Sequence, residues 1–368
     1  MINEYVDCLE YKRLIEENKI KSKSLKVLFK NNGIILTSTN SKDLAESVYT
    51  IFSEPKDIEH IKMLAFRFQN YEKSTLIAIN YSMGTKDDNV LDYLSTELNR
   101  LKSLTIGPCF IDRISQIDEG LLLVIMSFEK KNSGKNKLLE FEKRTLHVYI
   151  RKQNDQEALV DIRQQEAMDS QKAITLLEQI QNDSSENSLV LKHINLNLLQ
   201  IEKRIEFFDK ISSLKYKEWT FHTISGIAVK RRNPSSGPYS DDDEDNDEGY
   251  VYIQNHEDEE DVTTLSGINT AILNGSGLRS NSFVQNCISE GFSISSMKYR
   301  FEIKSEPKEF IIEISSKNDL RIDMIQSYVQ SEDDKLESHP FSKEDQGRII
   351  QTFQEFAKQL FDNLSQVI

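Results

Sequence analysis

Leu146-His147-Val148-Tyr149-Ile150-Arg151, followed after the polar turn Asn154 to Glu157 by Val160-Asp161-Ile162-Arg163, is the stretch that decides the fold. Successive side chains of a strand point to opposite faces, so this period-two alternation predicts two strands with a greasy face and a wet one. Leu146, Val148, Ile150, Val160 and Ile162 supply the first; His147, Tyr149, Arg151 and Arg163 sit on the second. Working upstream, Phe110 to Ile117 and Leu121 to Phe128 read as strands joined by the hairpin-type turn Asp118-Glu119-Gly120. The next turn holds Asn132-Ser133-Gly134, and Leu76 to Ile79 is a further strand before a helix from about Asn89 to Lys102. A helix capped by Asp169 or Ser170, with Ile174, Leu177 and Ile180 on one side, closes the unit. The expectation is an antiparallel four-stranded meander covered on one side by helices.

Working downstream, Leu198 to Leu214 reads as a helix, and Trp219 to Val229 as a strand with Gly226 at a bulge or close approach. Pro, Ser and Gly then crowd 233–239, and Asp241 to Glu248 forms a run of like charge that cannot pack without neutralisation. A disordered acidic insertion is expected over 233–261. Beyond it, Val262 to Leu273 and Ser282 to Ile288 read as helices. Strands follow at Phe292 to Lys304, Phe310 to Ser315 and Leu320 to Tyr328. The last helix starts at Ser342, which with Asp345 has capping-box spacing. The predicted class is α+β. Its predicted parts are a helical, locally basic segment (1–60), a meander domain (61–182), a helix and strand connector (183–232), the insertion (233–261) and a second meander domain ending in a long amphipathic helix (262–368).

The chain has 368 residues and a formal net charge of -14, which excludes a uniformly basic surface coating nucleic acid and leaves only local contact. No run reaches the ~20 apolar residues that span a bilayer, and Met1-Ile2-Asn3-Glu4 lacks the order of a secretion signal. A cytoplasmic protein without membrane contact is expected. Cys8, Cys109 and Cys287 are far apart and lack ligand spacing, so they read as free thiols, with no metal or cofactor expected.

Positive charge gathers at Lys12, Arg13, Lys19, Lys21, Lys23, Lys26 and Lys30. Residues 23–53, with Ser24 to Ile34 as a short helix and Gly stop and Ser41 to Val48 as a second helix, resemble the SAP family of two-helix DNA-binding motifs. That resemblance implies DNA contact through the second helix's N-terminus and the nearby Lys23, Lys26, Lys30 and Lys42. Three other segments invite chemical readings. Glu302 and Lys304 in one strand have the spacing of the Glu-x-Lys pair with which PD-(D/E)xK nucleases hold Mg²⁺ and position water, although no upstream Asp stands at a strand start. Gly275, Gly277 and Arg279 precede a helix and suit an anion, but they follow a predicted helix where a strand is needed. Phe353, Phe356 and Leu360 belong to a wide apolar stripe on the terminal helix that faces either its own core or a protein partner. No phosphate loop or clustered ligand set occurs. The sequence therefore points to a non-enzymatic accessory or adaptor subunit with a protein partner and nucleic-acid docking through its N-terminal segment, with a metal-dependent nuclease using Glu302 and Lys304 and a pure protein-interaction scaffold as the alternative readings.

Overall fold

A computed structural model of the chain describes residues 8–17, 20, 22–38, 40–49, 51, 61, 64, 71–82, 89–104, 109–132, 140–184, 188–213, 216–231, 250–254, 270–275, 278, 281–316, 319–330 and 336–366. The class is α+β, as the patterning predicts: helices and a large, mostly antiparallel sheet. Helices α1 (Cys8–Glu16), α2 (Ser22–Asn31) and α3 (Ser41–Val48) come first. Then follow β1 (Lys73–Tyr81), α4 (Val90–Leu104), β2 (Cys109–Asp118), β3 (Leu121–Lys131), β4 (Phe141–Lys152), β5 (Glu157–Gln164) and α5 (Ser170–Asp183). The chain continues through β6 (Leu189–His193), α6 (Ile201–Ser212), β7 (Trp219–Arg231), β8 (Tyr250–Gln254), β9 (Thr270–Asn274) and α7 (Ser282–Ser289). It finishes with β10 (Phe292–Ile303), β11 (Lys308–Ser316), β12 (Leu320–Gln330), β13 (Leu336–Ser338) and α8 (Lys343–Ser365). No helix of the described residues is long and apolar enough to cross a membrane.

Contacts divide the chain into two units. The first comprises 1–70, 105–110 and 127–145, the second 71–104, 111–126 and 146–368. In the first unit the three amphipathic helices bury Leu14, Ile15, Leu25, Phe29, Leu44 and Val48 against one another, with Ile20 and Ile61, in a core of their own. Leu25 and Phe29, and Leu44 and Val48, are four residues apart, the spacing that keeps side chains on one helix face. Gly33 ends the α2 segment at φ +78, a conformation that favours glycine.

In the second unit β1 is the central strand. Its burial on both faces explains why Leu76-Ile77-Ala78-Ile79 shows no polar position. One face continues through the register Ile77↔Val160↔Ile150 to the apolar side of β4 and β5, and meets α4 and α5. Leu98, Val124, Ile150 and Leu177 line a void there of about 10 Å³, the size of a single water and no more. The other face carries Leu76, Ala78 and Leu159 into the large core shared with Tyr299, Phe301, Phe310 and Phe353.

Four expectations are corrected. The two meanders are not separate domains: β1 pairs with β5 on one side and with β12 on the other, Lys73↔Asp323 to Leu76↔Leu320, giving the strand order β2-β3-β4-β5-β1-β12-β11-β10-β7-β9-β8. A strand apolar on both faces needs hydrogen-bonding partners at both edges as well, and the second meander supplies one. The wet face of the first meander is open only in part: α8 bonds Arg151 and Arg163 through Gln354 and Gly347, whereas His147 is exposed. Residues 270–274, predicted as the end of a helix, form β9 and pair with β7 from Gly226↔Asn274 to Lys230↔Thr270; so short an apolar run carries no period that separates strand from helix. Within the predicted disordered insertion, Tyr250–Gln254 is a strand parallel to β9, while 233–249 and 255–261 lie outside the described residues. Gly226 is confirmed as a close approach: a Cβ there would lie 2.7 Å from Lys298 Cδ, and the β7–β10 register shifts just beyond it.

Candidate nucleic-acid interface

The lysines predicted to meet nucleic acid all belong to the helical unit. Lys23, Lys30 and Lys42 are exposed, and Lys26 is partly buried. On a helix of 3.6 residues per turn, Lys23, Lys26, Val27 and Lys30 fall within one sector about 100° wide. Leu25 and Phe29, on the opposite side, are buried in the core, so the lysine sector faces outward. Lys26 Nζ donates to the Thr37 carbonyl at 3.2 Å and braces the extended segment after Gly33. Lys23, Lys30 and Lys42 form no ion pair with another described residue, and α2 contains no acidic residue. Charge on the neighbouring helices is treated differently. Lys12 is paired with Glu46 and with Glu16 at 3.9 Å, which raises its pKa through the Glu46 contact, and Arg13 is paired with Glu10 at 3.3 Å.

The N-terminus of α3, which the family resemblance makes a phosphate contact, is closed by its own residues. Asn40 Oδ1 accepts the Lys42 amide at 2.9 Å, and the Asp43 carboxylate in the first turn accepts from Ser38 Oγ at 3.3 Å. A fixed carboxylate at this position favours the helix and repels an anion. Lys42 is the exposed cation there, beside that acid.

The other predicted sites are held by local partners. Glu302 Oε1 lies 2.8 Å from His222 Nδ1, while Lys304 Nζ donates to the carbonyls of Tyr216 at 2.8 Å and Lys217 at 3.3 Å. Glu302 and Lys304 thus serve different neighbours, and no group of three metal-ligating side chains occurs among the described residues. Gly275 follows strand β9 rather than a helix and donates its N–H to the Ser225 carbonyl at 3.1 Å. The expectations at Gly277 and Arg279 lie outside the described residues. The α7 amides of Phe283 and Val284, the donors an anion would use, are already taken by Asn281 Oδ1 at 2.9 and 3.4 Å. The partner-binding reading of Phe353, Phe356 and Leu360 is corrected: Phe353 and Leu360 are core residues and Phe356 packs against that core, because α8 closes its own sheet.

Sequence reasoning missed a buried polar cluster beneath α8. Asp161, fully buried, receives Arg163 Nε at 2.8 Å, one Arg163 terminal nitrogen at 2.7 Å and Ser74 Oγ at 2.6 Å. Gln354 donates to Ser74 Oγ at 2.6 Å and accepts from Arg151, while Arg163 reaches the Gly347 carbonyl at 3.3 Å. Burial alone would raise the Asp161 pKa; the attraction and hydrogen bonds of Arg163 outweigh it and hold the carboxyl below its ordinary value. Arg151 is lowered, since burial takes more from its charge than the 3.5 Å contact with Asp161 returns. Gln354, fully buried within the α8 stripe, is the signal that betrays the cluster: an amide among core positions needs a polar partner. Of the wet-face residues His147, Tyr149, Arg151 and Arg163, Arg163 is buried and Tyr149 and Arg151 are half-buried on this side, while His147 is exposed.

At the seam between β6 and β12, His193 Nδ1 lies 2.7 Å from Asp319 Oδ1. The Asp319 hydrogen bond, aided by Glu178, raises the His193 pKa. No family model and no curated protein matches the chain.

Proposed function

We propose that the chain is a non-enzymatic accessory protein whose N-terminal helical module docks on a nucleic-acid backbone. One observation carries the reading: in a chain of net charge -14, the segment from Asn18 to Lys42 contains six lysines and no acidic residue. Lys23, Lys26 and Lys30 of that set line the outward face of a helix whose other face is committed to a core. Cations placed so, with no carboxylate partner among the described residues, create a local positive potential that attracts a polyanion and releases its counterions.

The test is titration of a labelled 20-base-pair duplex with the full chain in low salt, read by fluorescence anisotropy. Replacing Lys23, Lys26, Lys30 and Lys42 together by Glu is expected to weaken binding by at least about tenfold, because the outward charges of α2 are reversed together with that of Lys42 beside them. Binding by that variant at the parent affinity, with an unchanged circular dichroism spectrum, overturns the proposal.

A further inference from the structure

Resting on that docking reading, we infer that the recognition element is the outward face of α2 rather than the N-terminus of α3, and that it grips the sugar–phosphate backbone of a duplex without reading its sequence. Three observations point this way. First, cations on α1 are spent on carboxylates, Lys12 on Glu46 and Glu16 and Arg13 on Glu10, whereas Lys23 and Lys30 have none among the described residues. Second, α3 closes its own N-terminus with Asn40 and places Asp43 in its first turn, where a phosphate would meet a like charge. Third, the α2 sector consists of Lys23, Lys26, Val27 and Lys30.

That composition sets the mode of binding. Lysine ammoniums are compact point charges suited to phosphate oxygens, and the sector has none of the Arg, Asn or Gln side chains that most often pair with base edges. It also offers no aromatic ring: Phe29, the one ring in α2, is buried, so bases of a single strand have nothing here on which to stack. Lys23 and Lys30 stand about 10 Å apart along the helix axis, a reach that spans neighbouring phosphates of a duplex. Val27, 53% exposed between them, keeps the centre of the sector free of competing hydrogen bonds.

The experiment measures the salt dependence of binding to two 20-base-pair duplexes of unrelated sequence and to one single strand of equal length. The full chain is expected to bind both duplexes within about twofold of each other and more tightly than the single strand. With three lysines engaged, the slope of log affinity against log salt is expected to be about -2.7. Lys23→Gln and Lys30→Gln should each reduce its magnitude by about 0.9, while Lys42→Gln leaves it unchanged. A slope that responds to Lys42→Gln but not to the α2 variants, a sequence preference above tenfold, or a preference for the single strand overturns this inference and leaves the docking reading standing. Absence of binding to every probe at low salt overturns both.

Discussion

Asp161 has no exposed surface and faces two arginines, so its removal takes away their hydrogen-bonded counterion and leaves Arg163 only the looser contact with Glu72 at 4.0 Å. Breaking a buried pair in this way costs about 3–5 kcal/mol. Asp161→Asn, which keeps the shape and discards the charge, is therefore expected to lose that much stability in urea unfolding at pH 7. A loss below about 1 kcal/mol would mean that Arg163 reaches water instead. The pH dependence has a definite sign. Because the folded carboxyl sits below its unfolded value, its contribution is complete above a pH of about 4 and drains away as pH falls through the lower folded pKa. The gap between parent and variant should accordingly narrow in acid. His193 has the opposite sign: its folded pKa is raised, so its contribution is full below about pH 6.5 and is lost as pH rises through the folded value. The ring is 40% exposed, and solvent screening keeps that contribution well under about 1 kcal/mol.

Among the elements, α8 combines the longest apolar stripe with two buried amides, Gln346 and Gln354. Ile349, Ile350, Phe353, Ala357, Leu360 and Leu364 enter the large core, and each large side chain of this kind contributes about 1.5–3 kcal/mol on burial. Truncation before Ser342 removes all of them and uncovers Asp161 and Arg163. The shortened chain is expected to sediment as aggregate rather than to remain a soluble monomer; a folded monomer would return the stripe to the role of a partner surface. This helix was legible in the sequence down to its cap, since Ser342 Oγ accepts the Asp345 amide at 3.1 Å as the spacing predicts. The hairpins and the strands β10 to β12 were legible for the same reason: local periodicity and turn chemistry fix them. What escaped was set by contacts far apart in sequence. Asp161 and Arg163 look like residues of a solvated strand face until Gln354 and Gly347 arrive from almost 200 residues away, and Thr270–Asn274 becomes a strand only because β7 offers an edge. At the candidate interface the lysines and the outline of α2 and α3 were legible. The closure of α3 by Asn40 and Asp43 was not, because it depends on side-chain geometry that spacing alone does not convey.

For the molecule as a whole, the single sheet makes the second unit one body despite its two meanders. β7 pairs with β10 over eleven residue pairs and β1 with β12 over four, so both joints connect chain that precedes the acidic run 241–248 to chain that follows it. A protease site inserted at 245 and cleaved should therefore yield two fragments that co-elute in gel filtration at the parent volume and part only in denaturant. Fragments that separate under native conditions would show that the halves are independent domains after all.

The outer edge of β1 is shared between two strands of very different age in the growing chain: Ile77–Tyr81 takes β6, whereas Lys73–Leu76 waits for β12. Ser74 and Asp323 are separated by 249 positions. At a synthesis rate of about 5–20 residues per second, half of that edge stays unpaired for roughly 12–50 s after it leaves the ribosome. A nascent chain with an open, apolar strand edge is prone to pair with its neighbours on a polysome. Its yield in the cell should consequently depend on holding chaperones and on translation speed more than its final stability suggests.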